Sequence, residues 1–472
     1  MYKSEQLALS LKQLIQSGVW KPADKLPSLR QQAKVSGFSL MTVMHAYQAL
    51  EAQGLIYAKE KFGYFVSNPA TQQQAQTAVG CNERVTINSR VFRYLKSLQD
   101  PQIIPLGSAF PDSKLLHCNK LLNILSRQTK SKLVHEHTSN LPPGNLALRQ
   151  LIAQRYAMQG IPTNPEDIVI TSGALDALNL SLQAITQSGD YVLLQDTSFY
   201  GAWQAAERLG LKVITIATHP EHGLDLQAFE NAVRQYPIKV CLLMLNSQNP
   251  IGYTVSDDIK AELARLLHQY QVYLIEDDVY EELYYGSKKP RAMKYFDAHH
   301  MVLHCSSFSK TLGAGFRVGW VYTGKFSELI QHAQLMSTLS VNSFIQNALV
   351  EYLAHRYYEK HLHALREKLQ DLKQQYFHRL THALPANFIC HPAPSGYFLW
   401  IELPSYLNSE QVYQDLLHAQ ISVAPSSLFD VQGQQQHHLR LNCSFEIDDS
   451  MHQALNQLVA YLIDANQKHL LK

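Results

Sequence analysis

Between residues 168 and 322 the chain returns again and again to short, almost uninterrupted apolar runs. They are Ile168–Thr171, Tyr191–Gln195, Lys212–Ala217, Lys239–Leu245, Val272–Glu276, Met301–Cys305 and Val318–Tyr322. A strand exposed on one face alternates apolar and polar residues. Runs without that alternation must be covered on both faces, as in a mostly parallel sheet with helices packed on each side. The pattern therefore predicts an α/β body. After about residue 330 come long helical segments and two further strands, Phe398–Leu403 and His438–Asn442. These imply a second, smaller α+β lobe.

The chain's 472 residues leave room for more than this one body. With 46% apolar and 17% charged residues it reads as a globular protein, and no apolar run is long enough to span a bilayer. The first residues lead into an amphipathic segment rather than a secretory signal. Six scattered cysteines, none in a Cys-x-x-Cys pair, read as free thiols in a reducing compartment, so a cytoplasmic location is expected.

Residues 1–68 form a separate unit by pattern. Seven lysines and one arginine stand against four acids, a net +4, which leaves −2 for the remainder. A basic head on a slightly acidic body suits a polyanionic partner. Leu7, Leu11, Leu14 and Ile15 mark one amphipathic helix. Ser28 is placed to cap a second, closed by Gly37, and Ser39 to cap a third that ends at Gly54. Leu55–Ala58 and Tyr64–Val66 then read as a short hairpin. Three helices and a hairpin make a winged helix-turn-helix.

Leu26-Pro27-Ser28-Leu29-Arg30, Ser39-Leu40-Met41-Thr42-Val43, the stretch Leu50 to Ile56 and Gly63-Tyr64-Phe65-Val66 together resemble a GntR-type DNA-binding head. The resemblance implies that the helix beginning at Ser39 enters the major groove of double-stranded DNA. Ser39, Thr42 and His45 are then candidates for phosphate or base contacts. Ser28, Arg30 and the wing lysines Lys59 and Lys61 are candidates for backbone or minor-groove contacts. Residues 69–99, which begin with a glutamine-rich stretch lacking apolar periodicity, are expected to be a linker, and 100–472 the body.

In the body, Ser306 to Arg317 sets Lys310 in a hydroxyl-rich turn with Arg317 seven residues on. A lysine desolvated beside other cations loses its proton and can condense with a carbonyl as a Schiff base. The flanking hydroxyls and the arginine suit a phosphate. Other segments add to this, each commonplace alone. Gly173, Ala174 and Leu175 open a helix after a strand and can offer main-chain N–H groups to an anion. Phe199, with Tyr200 as second choice, can stack on a ring. Asn249, in an Asn-Pro-Ile-Gly turn, can bond a ring hydroxyl, as can Tyr280. Asp277 can face a pyridine nitrogen and keep it protonated. Arg440, on the last strand, can grip a carboxylate by two parallel hydrogen bonds. The acids at 276–278 have no His or Cys at ligand spacing, so no metal is expected.

In this order, with the Gly144–Arg149 stretch and Gly396, these segments resemble a class I/II aminotransferase domain of fold-type I, which uses pyridoxal 5′-phosphate (PLP). The resemblance implies that Lys310 carries the cofactor and that Ser307, Ser309 and Arg317 contact its phosphate. Head plus body resemble the MocR-type transcriptional regulators. That implies a head-to-tail homodimer on operator DNA in the cytoplasm, at the nucleoid, sensing a small amino compound or PLP itself. The alternative is a working aminotransferase with an accessory head, with Lys310, Asp277 and Tyr280 as its catalytic residues. Three positions depart from the family pattern: Ser139–Pro143 lacks the usual tyrosine before Gly144, and Thr197 and Ala314 each stand where proline is common.

Overall fold

The structure is a computed structural model that describes residues 3–16, 19–21, 24–59, 63–67, 87–130, 140–219, 223–430 and 436–470. The chain divides into two compact units, Met1–Arg84 and Val85–Lys472.

The first unit holds α1 (Lys3–Gln16), α2 (Leu29–Ser36), α3 (Leu40–Ala52) and the antiparallel hairpin of β1 (Ile56–Lys59) and β2 (Gly63–Val66). Ser28 caps α2 in a capping box with Gln31, Gly37 ends it in the left-handed conformation, and Ser39 caps α3. Leu7, Leu11, Leu26, Val43, Tyr47, Leu50, Ile56 and Val66 bury one core of their own.

In the second unit the stretch expected as linker ends early, because α4 (Ile87–Ser97) lies inside it. Val91 and Tyr94, three residues apart, form a buried face. Next come α5 (Asn119–Thr129) and α6 (Leu146–Met158). The sheet strands then alternate with helices: β3 (Ile168–Thr171), α7 (Ala174–Ile185), β4 (Tyr191–Gln195), α8 (Tyr200–Leu209), β5 (Lys212–Ile216), the small hairpin β6 (Thr218–His219) and β7 (Gly223–Leu224), β8 (Ile238–Leu243), β9 (Tyr273–Asp277), β10 (Val302–Ser307) and β11 (Gly319–Tyr322). The seven-stranded sheet runs β3-β11-β10-β9-β8-β4-β5. Only β11 runs against its neighbours. The strands inside the sheet are buried nearly throughout, as their unbroken apolar runs required, while the edge strand β5 buries only Ile216.

The smaller lobe is a four-stranded antiparallel sheet of order β12-β13-β15-β14, from β12 (Ile389–His391), β13 (Phe398–Glu402), β14 (Ala424–Pro425) and β15 (His438–Asn442). A 27-residue helix, Tyr357–Ala383, leads into it and Asp449–Leu470 closes the chain. No helix among the described residues is long and apolar enough to cross a membrane. Cys118, Cys241, Cys305, Cys390 and Cys443 are free thiols.

Candidate functional site

Parallel strands end together, and the segments that follow them meet at one edge of the sheet. β3 delivers Gly173, β4 delivers Phe199, β8 delivers Asn249, β9 ends on Asp277 with Tyr280 beyond, and β10 runs into Ser307–Lys310. Because β11 is antiparallel, the residue two before it, Arg317, lies at the same edge.

Lys310 is 9% exposed and donates to the Ala109 carbonyl at 2.6 Å, with its ammonium 4.9 Å from the centre of the Phe110 ring and 5.3 Å from that of Tyr280. Burial brings its pKa down to about 7, helped by the cations of Arg440 and Arg317 and opposed by Asp277. Asp277 is 2% exposed, and burial pushes its carboxyl up to about 7. Its Oδ1 has no hydrogen-bond partner. Ionised and buried, it calls for a positive group on that side.

The Gly173 turn is shaped by close approach. Its φ is +94°, and a Cβ there would fall 2.7 Å from Arg317 Nη2, which donates to the Ser172 carbonyl at 2.6 Å. A Cβ on Gly319 would in turn lie 2.6 Å from the Gly173 carbonyl carbon. The first turn of α7 has no side-chain cap, so its N–H groups at Ala174 and Leu175 remain as an anion cradle beside the Arg317 guanidinium. Ser307 Oγ accepts from the Ser309 amide at 3.3 Å, and the buried Ser309 hydroxyl has no partner. Phe199 lies half-buried over Gly201 and packs with the cluster around Tyr280, while Tyr200 is buried.

Arg440 is wholly buried. Nη1 donates to Asn249 Oδ1 at 2.7 Å, Nη2 donates to the Gly107 carbonyl, and Nε has no partner. Its guanidinium carbon lies 4.4 Å from the Phe398 ring centre and 4.9 Å from that of Phe429. Among the described residues it forms no ion pair, so a buried cation rests on neutral acceptors and two ring faces. Successive strand residues point to opposite faces, so Asn442, two positions on, points as Arg440 does. It donates to the carbonyls of Ser108 at 3.0 Å and Phe110 at 2.7 Å. Together they tie the loop 107–110 across the mouth of the site.

Sequence reasoning missed several of these residues. Tyr397 donates to the Ala109 carbonyl at 2.9 Å and packs edge-on to Tyr280. Its one signal was its place beside Gly396. Phe110 and Asn442 gave none. The acids of β9 also divide by face: Asp277 turns to Lys310, while Glu276 and Asp278 turn the other way, to His304 on β10. His304 meets Asp278 at 3.1 Å and the Tyr156 hydroxyl at 2.6 Å. Asn246 donates to Asp278, and the Met293 amide to Glu276. The three side chains lie within metal-ligand reach of one another, a grouping that spacing along the chain concealed. Their hydrogen bonds make them a proton-sharing network behind Asp277, in which burial and Asp278 push Glu276 up to about 8.

In the head, Arg30, Ser39, His45 and Lys59 are exposed and Thr42 is half-exposed. The Ser39 and Thr42 hydroxyls lie 2.8 Å apart at the first turn of α3, and Ser28 is committed to its capping box. Leu40 and Met41, also exposed there, were not singled out by the sequence. Lys61 lies outside the described residues.

A donor set of one amine-bearing lysine, a carboxylate with one unpartnered oxygen, an anion cradle with an arginine, and the neighbouring rings of Phe110 and Tyr280 fits PLP. Comparison with known proteins gives a family for each of the two units. The family "Aminotransferase class I and II" matches residues 86–458, and "Bacterial regulatory proteins, gntR family" matches residues 3–66. The HTH-type transcriptional regulator YdcR of Escherichia coli K12 is 48% identical over 97% of this chain and 98% of its own. YjiR of the same strain, another HTH-type transcriptional regulator, is 32% identical over 97% and 98%. Among solved structures, kynurenine aminotransferase of Pyrococcus horikoshii aligns with a TM-score of 0.74 at 23% identity, covering 81% of this chain and 96% of that one. LysN, the α-aminoadipate aminotransferase of Thermus thermophilus, gives 0.73 at 23% over the same shares. At these identities the structural likeness speaks for the fold alone.

Proposed function

Since the chain belongs to the class I and II aminotransferase family and joins that domain to a GntR-type helix-turn-helix in the manner of MocR-type transcriptional regulators, we propose that its body binds PLP on Lys310 and uses it to sense a small amine that carries a carboxylate. The observation that carries this reading is Lys310: buried, brought down to about 7, and close to the Asp277 carboxylate, whose Oδ1 has no partner.

When bound, PLP would supply an aldehyde open to both Lys310 and an incoming primary amine, and a ring whose protonated nitrogen withdraws electrons. The chain's own residues do the rest. Asp277 holds the proton on that nitrogen, Tyr280 and Asn249 meet the ring hydroxyl, and Phe199 covers a face. The α7 N-terminus with Ser307, Ser309 and Arg317 seats the phosphate. Lys310, once displaced, is a free amine with a pKa suited to moving protons near neutrality. Arg440 gives the effector's carboxylate the counter-charge it lacks at present.

The head would hold operator DNA through the first turn of α3, with Ser39, Thr42 and His45 towards the groove and Arg30 and Lys59 towards phosphates. The proposed assembly is a head-to-tail homodimer, which light scattering tests as twice the chain mass of 53.6 kDa. A second reading, turnover as an aminotransferase, is favoured by the retention of Lys310, Asp277 and Tyr280 in one site.

The purified protein is expected to be yellow, with an absorption band that Lys310→Ala eliminates; an unchanged spectrum in that variant refutes the cofactor reading. Binding to the promoter beside its own gene is expected to weaken steeply as salt rises, and affinity no better than for random DNA refutes the regulator's site choice. Multiple turnovers with amino and keto acids, together with indifference of DNA binding to them, would decide for the enzyme.

A further inference from the structure

We infer that the carbonyl oxygen of Gly107 links Arg440 to Tyr94, so that an effector's carboxylate is reported to α4, the helix by which the chain enters the body from the head. The inference rests on reading Arg440 as the carboxylate anchor.

Gly107 O accepts two hydrogen bonds, from the Tyr94 hydroxyl and from Arg440 Nη2. A carbonyl oxygen has two lone pairs, so both are used. Tyr94 is 3% exposed and Arg440 0%, so water is not at hand to replace either donor. The loop has no slack at this point. A Cβ on Gly107 would fall 2.4 Å from the Tyr94 hydroxyl oxygen, and 2.6 and 2.7 Å from backbone atoms of Val423 and Ala424. A movement of Gly107 towards its side-chain face therefore meets both the Tyr94 hydroxyl and the backbone leading into β14.

A carboxylate grips a guanidinium through two parallel N–H groups, either Nε with Nη2 or Nη1 with Nη2. Nε is the position without a partner. Both forks include Nη2, the nitrogen that holds Gly107. The anion draws on that nitrogen and neutralises the cation that strengthened its bond to the loop. Gly107 is then left with Tyr94 as its firm donor, and the balance between the two shifts towards α4. The helix is fastened elsewhere by Arg90 to the Ser427 carbonyl at 2.7 Å and by Ser97 to the Tyr413 hydroxyl at 3.1 Å. Tyr94 ties it directly to the loop that roofs Lys310. An amine without a carboxylate reaches Lys310 but leaves Arg440 and Gly107 as they are.

The test uses the full-length PLP-loaded protein and two small amines, L-alanine and ethylamine, each added until the absorption change saturates. Hydrogen–deuterium exchange is read over residues 87–97. L-Alanine is expected to change α4 exchange by about fivefold or more, and ethylamine by less than about twofold. In Tyr94→Phe, which keeps the ring and drops only the hydroxyl, the L-alanine response in α4 falls below about twofold while the absorption change persists. An equal α4 response to the two amines, or a Tyr94→Phe protein that responds as the unsubstituted one does, overturns the coupling. If Tyr94→Phe fails to fold, the pair of amines decides on the unsubstituted protein. Failure of the underlying reading looks different. No absorption change with either amine refutes the Lys310 site, and ethylamine saturating at the same concentration as L-alanine refutes Arg440 as anchor.

Discussion

Asp277→Asn tests how the site is held under electrostatic tension. The carboxyl is almost fully buried and its pKa stands at about 7 against an ordinary 3.8. That displacement corresponds to a penalty of about 4 kcal/mol once the group is ionised in the folded state, an upper bound because neighbours relax. The folded value is the raised one. The penalty is therefore absent below pH 3.8, grows between 3.8 and about 7, and is complete above. Asparagine has the same shape and never ionises. The cofactor-free variant is expected to exceed the unsubstituted protein in stability by about 2–4 kcal/mol at pH 8, and to match it within about 1 kcal/mol at pH 4. Urea unfolding followed by tryptophan fluorescence reads the body directly, since Trp203, Trp320 and Trp400 are buried there. With PLP present the sign reverses, because a protonated ring nitrogen rewards the ionised carboxylate. The variant is expected to bind PLP about tenfold more weakly or worse. A variant no more stable than the unsubstituted protein at pH 8, or a gain equal at pH 4 and pH 8, refutes the reasoning.

Gly173→Ala puts a Cβ 2.7 Å from Arg317 Nη2 at a backbone φ of +94°, so a stability loss of about 1–3 kcal/mol and faster PLP release are expected, read by thermal unfolding and dialysis. Cofactor-free protein should take up PLP at a rate that rises with pH and levels off above about 7, where the neutral amine of Lys310 dominates; a rate still climbing towards pH 10 refutes the lowered pKa. Ser39→Ala removes the acceptor of the Thr42 amide and should lower stability of the head by about 1 kcal/mol, seen as a lower Tm of the isolated transition and weaker operator binding.

The sheet and most of the candidate site were legible because the signals were local. Each strand announced itself by an apolar run, and Gly173, Asn249, Asp277 and Lys310 each sit within a few residues of a strand end, so their company in sequence became company in space. The roof of the site was not legible. Gly107 and Arg440 are separated by 333 residues, and His304 from Asp278 by 26, distances over which neither period nor spacing carries information. α4 was taken for linker because two buried positions, Val91 and Tyr94, are too few to stand out beside a polar stretch. β12 and β14, of three and two residues, are too short to show any period.

The 333-residue span between Gly107 and Arg440 also sets an order in time. The head closes its core with Val66, so it can fold while most of the chain is still unmade. The loop that roofs Lys310 gains its last supports only when β15, more than three hundred residues further on, leaves the ribosome. Synthesis thus yields the helix-turn-helix unit first and the closed roof of the candidate site last. A chain cut short before residue 438 would hold the helix-turn-helix core entire and a body without Arg440 or Asn442.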